Sequence, residues 1–202
     1  MLLGVGTLAH CHLSSGSCTT SLSEGLRYPN GIVKPTRPSN ALYIANTAKG
    51  FMSFHLISPS HHTSFKNSKP YNQSTVSTVR KPIEIGMPID NLSVDSNGDI
   101  YVAGLPKMYQ LIKAMSNPEK EANVASSVFR IRKVYVKDEG LGKELGMEGG
   151  SRIQHVVEKV LEDREGKVLP AASTVVHDVK TGRLWLSGVA SKFVTVCEPN
   201  GA

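Results

Sequence analysis

The chain has 202 residues, enough for one domain with a sizeable core, and 23 Lys and Arg against 17 Asp and Glu give it a net charge of +6. The basic residues are scattered from Arg27 to Lys192 without a dense run, which argues against a nucleic-acid site. The apolar start, residues 1–9, lacks a basic flank and is too short for a membrane span, so we predict neither a span nor a signal peptide.

The first predicted element is a hairpin close to the N-terminus. Its arms are residues 8–10 and 18–22, separated by a short turn rich in Ser and Gly. Cys11 and Cys18 face each other across that turn, which is compatible with a hairpin disulfide in an oxidising compartment. Two ordinary thiols are an equally good interpretation, because two cysteines carry little information.

A second strand–turn–strand unit follows, in which residues 30–33 lead through a Pro, Ser and Asn turn to residues 42–46. The next strand, residues 52–55, runs into a long polar loop that carries His61 and His62. Adjacent histidines in a polar loop seldom bind a metal tightly, so we interpret this pair as ordinary surface residues.

The central stretch, Ile89 to Gly104, is predicted to be a β-hairpin. Apolar residues alternate in each arm, and Asp95 to Asp99 between the arms has the composition of a tight turn. An EF-hand calcium loop that started at Asp95 would need a Glu at its twelfth position, where this chain has Pro106. The turn chemistry therefore favours a hairpin over a calcium loop.

The C-terminal half continues with one predicted helix and further strands. Apolar residues at helical spacing precede Pro118 and predict a short helix whose stripe serves packing: Met108, Leu111, Ile112 and Met115. Residues 127–136 alternate as a strand, whereas residues 153–161 fit an outer strand or a helix. The Gly-rich run between them, near residues 138–151, is predicted to be a flexible insertion.

A third strand–turn–strand unit lies at residues 173–176 and 184–188, so the same pattern occurs three times at loose intervals. Repeated hairpins separated by variable loops are typical of an all-β fold, and in particular of a β-propeller built from four-stranded sheets. In a propeller the innermost strands start at the central channel. Polar residues at those starts are therefore candidates for a shared site.

Five segments resemble the C-terminal part of the serum paraoxonase/arylesterase family, especially its fungal members: YPNGIV at 28–33, ALYIAN at 41–46, IDNLSVD at 89–95, LPAASTV at 169–175 and LWLSG at 184–188. The resemblance runs from about residue 5 to Glu198 and implies a six-bladed β-propeller with calcium in its central tunnel. Complete members are much longer. We therefore expect residues 1–202 to form a single partial propeller domain of about two and a half to three blades.

The resemblance implies that Asn30, Asp90 and Asn91 are calcium ligands. Calcium prefers six to eight oxygen ligands, so carboxylate and amide side chains are the right types, and the remaining oxygens would come from earlier blades. Without the resemblance, the same residues would be interpreted as turn and cap residues.

The implied activity is the calcium-dependent hydrolysis of aryl esters or lactones, in which calcium polarises the carbonyl group. The histidine pair proposed to activate water in this family lies upstream of this chain, and none of the seven histidines here has the matching context, so the catalytic residues stay unknown. The His-Pro-Asn-Gly element of many members is replaced here by residues 105–108, LPKM, which leaves the substrate preference open.

The expected partner is a small-molecule ester or lactone, with self-association through the open sheet edges of an incomplete ring. The family joins a C-terminal cysteine to an N-terminal one, and here Cys197 lacks that counterpart. The resemblance suggests a secreted or extracellular location for a full-length form. Two alternatives stay open: a non-catalytic propeller remnant or binding module, and a strictosidine-synthase-like or gluconolactonase-like propeller enzyme.

Overall fold

The structure, a computed structural model, describes residues 6–11, 13–22, 25–36, 40–58, 75–78, 82–117, 123–137, 151–189 and 191–199. Almost all regular structure in these residues is strand: β1 (Leu8–Cys11), β2 (Cys18–Leu22), β3 (Pro29–Val33), β4 (Ala41–Asn46), β5 (Phe51–Ser58), β6 (Thr75–Thr78), β7 (Ile83–Glu84), β8 (Ile89–Val94), β9 (Ile100–Gly104), β10 (Ser126–Lys137), β11 (Ser151–Asp163), β12 (Ala172–Asp178), β13 (Arg183–Gly188) and β14 (Thr195–Cys197). One α-helix, α1 (Met108–Ser116), and a 3-10 turn, Thr47–Lys49, complete the described elements. The predicted all-β class is confirmed.

The chain divides into two compact units, Met1–Asn91 and Leu92–Ala202. The first unit contains a two-stranded sheet, β1-β2, and a sheet in the order β3-β4-β5-β6 with β7 beside β5. The β1-β2 hairpin is closed by a disulfide between Cys11 and Cys18, whose Sγ atoms are 2.11 Å apart. The disulfide interpretation of these two cysteines is therefore the correct one.

The core of the first unit is built on β4 and β5. Tyr43 and Phe54 are cross-strand partners, their side chains are buried, and their ring centroids are 4.9 Å apart. Aromatic pairs in direct register stabilise a sheet beyond the apolar area that they bury. The second predicted strand–turn–strand unit thus forms as expected, from β3 and β4 paired antiparallel.

The second unit contains a three-stranded sheet, β12-β13-β14, and most of a four-stranded antiparallel sheet, β11-β10-β9-β8, whose edge strand β8 begins in the first unit at Ile89. Every residue of β9 is buried. One apolar cluster combines residues of both sheets with Leu169 from the segment before β12: Tyr101, Ala103, Val128, Leu169, Ala172, Val175 and Leu186. The Ser93 hydroxyl also donates a hydrogen bond to the Val175 carbonyl at 2.6 Å, so β8 and β12 are joined directly. The central and third predicted hairpins are both present.

Two details differ from the sequence-based expectation. The helix packs through Leu111 and Ala114, whereas Ile112 and Met115 are 61% and 67% exposed, because the stripe that faces the core is narrower than the apolar pattern indicated. Residues 153–161, left open between strand and helix, belong to strand β11. The four described sheets have two to five strands, so only β8–β11 matches the expected four-stranded sheet.

The predicted insertion near residues 138–151 falls almost wholly outside the described residues, as do His61 and His62. Among the described helices, none has the length and apolar character needed to cross a bilayer.

Candidate functional site

Two of the three predicted calcium ligands are in contact. The side-chain amide of Asn30 donates a hydrogen bond from Nδ2 to Oδ1 of Asp90 at 2.5 Å, although the residues are 60 positions apart in sequence. Both side chains reach solvent, since Asn30 is exposed and Asp90 is half-buried. The fold of the first unit therefore brings an amide and a carboxylate together at one accessible point.

The strand positions of these residues differ slightly from expectation. Asn30 and Asp90 were expected just before the innermost strands, but each is the second residue of its strand, β3 and β8 respectively. A bulge in β3 between Pro29 and Ile32 breaks the regular pairing around Asn30. A bulge changes the direction in which a side chain points. This change allows Asn30, on the edge strand β3, to contact Asp90 on β8.

Asn91 is the third predicted ligand, and it directly follows Asp90 within β8. Successive side chains of a strand point to opposite faces, so regular geometry directs Asn91 away from the face of Asp90. Asn91 has interactions of its own in this structure. The contact between Asn30 and Asp90 is thus the established part of the candidate site, and the role of Asn91 stays a prediction.

The segment that precedes Asn30 is held in place by a buried asparagine, Asn46, whose role was not predicted from the sequence. The side chain of Asn46 is completely buried, and its Oδ1 accepts the backbone N–H of Arg27 at 2.7 Å. The backbone N–H of Thr47 donates to the carbonyl of Tyr28 at 3.1 Å, and Tyr28 adopts a left-handed φ of 55°. A non-glycine residue holds this conformation only when its surroundings impose it.

The Asn46 amide also connects to the interior of the sheet. Its Nδ2 donates to Oγ of Ser53 at 3.0 Å, and Nε2 of His55 lies 2.8 Å from the same oxygen. His55 is 1% exposed, and burial lowers its pKa below the ordinary value of 6.5. Asn46, Ser53 and His55 thus form a buried polar network. Through the hydrogen bond from Arg27 to Asn46, this network restrains the Arg27–Tyr28 segment. A polar residue closing an apolar strand, as Asn46 does, is the only sequence signal that could have suggested it.

The segment that precedes Asp90 is held in place by a close backbone contact at Gly50. Gly50 has a φ of 64°, and its carbonyl accepts the N–H groups of Ile85 and Gly86 at 2.9 and 3.2 Å. A Cβ atom at position 50 would lie 2.3 Å from the carbonyl oxygen of Met87, so only glycine allows this approach. The segment that leads to Asp90 is therefore held against the β4–β5 connection.

The donor set is compatible with calcium as part of a shell. The carboxylate of Asp90 and the amide of Asn30 supply the oxygen types that calcium binds, and an amide can present its oxygen as readily as its N–H₂ group. The described residues contain no group of three or more His, Cys, Asp or Glu side chains placed to hold a metal ion. A calcium site here would therefore rest on one carboxylate assisted by amides.

A second polar cluster lies in the second unit, at the turn between β8 and β9. Nδ1 of His177 is 2.8 Å from Oδ2 of Asp95, whose side chain is completely buried. The other carboxylate oxygen of Asp95 accepts the backbone N–H groups of Asn97 and Asp99, both at 2.9 Å. Sequence reasoning assigned Asp95 to the turn alone and gave His177 no role, because 82 positions separate them.

Comparison with known proteins adds no assignment. No protein-family model matches the chain, and no curated protein sequence matches it significantly.

Proposed function

We propose that the chain provides part of the calcium site of a propeller-type hydrolase that cleaves aryl esters or lactones. The observation that supports the proposal is the contact between Asn30 and Asp90. Both residues lie in segments that resemble the paraoxonase/arylesterase family, and the resemblance gives both of them the same role.

Asp90 and Asn30 have different tasks in this proposal. Asp90 supplies the charge that attracts a dication, whereas Asn30 supplies a neutral oxygen and restrains the carboxylate through its hydrogen bond. A calcium ion bound there would polarise the substrate carbonyl and stabilise the negative charge that develops on its oxygen. Asn91 and residues outside this chain would complete the six to eight ligands.

The rigid supports of the pair fit this role. The Arg27–Tyr28 segment is fixed by Asn46, and the segment before Asp90 is fixed by Gly50. Ligands that are held in place before the ion binds lose less conformational entropy on binding. The arrangement therefore favours a preformed site over one assembled by the ion.

The proposal is tested by measuring the hydrolysis of phenyl acetate and of a simple lactone in calcium and in EDTA. The assay compares this chain with a longer product that includes the upstream coding sequence. We expect calcium to bind this chain weakly, and the longer product to show a calcium-stimulated component of hydrolysis that is lost in EDTA. Absence of calcium-stimulated hydrolysis in both proteins would contradict the proposal.

A non-catalytic binding module is the second candidate, and one observation favours it. Val176, Trp185 and Val196 are cross-strand neighbours on β12, β13 and β14, and they are 49%, 44% and 40% exposed. An apolar row of this kind on a sheet face is characteristic of a surface that another element covers. If this candidate is correct, the longer product binds calcium or a partner but does not hydrolyse either substrate.

A further inference from the structure

The pair of His177 and Asp95 has the arrangement of an oriented proton acceptor. In its neutral form the imidazole donates from Nδ1 to the buried Asp95 carboxylate, which leaves the lone pair on Nε2. Within the described part of the chain, Nε2 makes no hydrogen bond. The side chain is 15% exposed.

Tyr101 lies directly beside this histidine. The ring centroids of Tyr101 and His177 are 4.8 Å apart, Tyr101 is 3% exposed, and its hydroxyl has no hydrogen-bond partner among the described residues. Burial raises the pKa of Tyr101, so its hydroxyl stays protonated at neutral pH and can donate a hydrogen bond. A proton acceptor and a neutral O–H donor therefore occur on two contacting rings.

The other polar groups near the turn are already engaged. Arg130 donates from Nε to Oδ2 of Asp99 at 2.8 Å, and this ion pair connects β10 to the end of the turn. Both carboxylate oxygens of Asp95 are also engaged, one by the turn amides and the other by His177. Among the described residues of this cluster, Nε2 of His177 and the Tyr101 hydroxyl are the polar atoms that these contacts do not engage.

We propose that His177, oriented by Asp95, is the general base of a second hydrolytic site that needs no calcium and acts on small uncharged carboxylic esters. Tyr101 is the proposed donor to the ester carbonyl oxygen, and Asp95 is a positioning residue. A positioned base with an oriented carboxylate behind it and an O–H donor beside it are the parts that ester hydrolysis by water requires.

The step is balanced without a cofactor. A water molecule gives a proton to Nε2 while its oxygen bonds to the acyl carbon, and the carbonyl electron pair moves to the oxygen that accepts the Tyr101 hydrogen bond. The tetrahedral intermediate then collapses and expels the alcohol oxygen with the electron pair of the broken C–O bond. That oxygen takes the proton from Nε2, which leaves a carboxylic acid, an alcohol and the neutral histidine.

The first test uses p-nitrophenyl acetate with the full chain in EDTA. We expect His177→Gln to lower the rate at least about tenfold, since general-base catalysis typically contributes more than that, and Tyr101→Phe to lower it severalfold. His10→Gln is the matched control, because His10 is an exposed histidine on β1 and any surface imidazole reacts slowly with this ester. Equal rates for the His177→Gln and His10→Gln variants, both folded by circular dichroism, would overturn the proposal.

The second test uses Asp95→Asn. It distinguishes an effect on the tautomer and orientation of the His177 ring from a general loss of folding stability. The amide oxygen must still accept the N–H groups of Asn97 and Asp99, so the amide nitrogen would face His177 and donate to Nδ1. The imidazole proton would then move to Nε2 and remove the lone pair. We expect ¹⁵N NMR of His177 to show this change of tautomer together with the loss of rate. An unchanged rate with a changed tautomer would contradict the role of Nε2.

The proposals for the two sites can be refuted independently of each other. Asp90→Asn removes only the calcium-dependent component, whereas His177→Gln removes only the component that persists in EDTA. If EDTA abolishes all hydrolysis by the unmodified chain, the second site is refuted and the calcium site is not. If a residual rate depends on His177 but calcium stimulates neither this chain nor the longer product, the second site is supported while the calcium proposal fails.

Discussion

Nε2 of His55 lies 2.8 Å from Oγ of Ser53, and both side chains are buried in the first unit. The histidine is neutral there, because burial lowers its pKa from 6.5. This relationship connects the stability of the candidate calcium site to pH, since Ser53 also accepts the Nδ2–H group of Asn46.

We expect the free energy of unfolding to fall as the pH drops below about 6.5. The lowered pKa of His55 means that the unfolded chain binds the proton first, so its contribution is complete above that pH and is lost on acidification, with a slope of at most about 1.4 kcal/mol per pH unit. Urea unfolding at several pH values measures this directly. His55→Gln should flatten the profile, and a profile that stays as steep in this variant would assign the pH dependence to other groups.

Asn46→Ala should destabilise the chain by about 2–3 kcal/mol. The substitution leaves the N–H of Arg27 without its acceptor and removes the donor to Ser53, and unpaired buried polar groups carry a cost of this size. Thermal or urea unfolding provides the measurement. Asn97→Ala, at an exposed turn position, is the control and should cost less than about 1 kcal/mol. Equal costs would mean that the buried polar network contributes little.

Gly50→Ala should cost more stability than Gly86→Ala. Both glycines have a positive φ, 64° and 83°, so both substitutions carry the same conformational penalty of about 1 kcal/mol. A Cβ atom at position 50 would also meet the backbone of Met87, whereas one at position 86 has nothing within 4 Å. The difference in unfolding free energy therefore isolates the close contact. We expect Gly50→Ala to weaken calcium binding too, since this contact holds the segment before Asp90.

Asp90→Asn should weaken calcium binding at least about tenfold, which corresponds to about 1.4 kcal/mol. The variant keeps the shape and one coordinating oxygen but removes the only carboxylate among the three predicted ligands. Isothermal titration with calcium gives the affinity for this chain, and aryl ester hydrolysis gives the activity of the longer product, whose calcium-dependent component we expect to be abolished. Asn97→Ala should leave both unchanged. Normal calcium dependence in Asp90→Asn would remove Asp90 from the proposed site.

The hairpins were predictable because their signals are local. Alternating apolar residues and turn residues such as Asp95 to Asp99 lie within a few positions of each other, and β8 and β9 form where that pattern places them. The contact between Asn30 and Asp90 was accessible only through the family resemblance, since no local pattern relates residues on two separate strands. The bounds of β10 and β11 extend beyond the predicted segments, because pairing between two long strands continues past the point where the apolar alternation ends.

The polar contacts of the core could not be predicted from the sequence. Asn46 closes an apolar strand in the same way as many exposed residues do, and its burial depends on the packing of β5 against it. His177 and Asp95 each have an ordinary local context, and only the packing of β12 beside β8 brings them together. Contacts of this kind depend on the arrangement of whole sheets, which one sequence does not specify position by position.

The row of Val176, Trp185 and Val196 across β12, β13 and β14 has a spectroscopic consequence. Trp185 is the single tryptophan of the chain and stands in the middle of that row, 44% exposed. Its fluorescence emission therefore starts from a partly hydrated indole, so unfolding shifts the emission to longer wavelength only modestly. Any molecule that covers β12, β13 and β14 would instead move the emission to shorter wavelength, which makes this residue a built-in optical reporter of contact at that face.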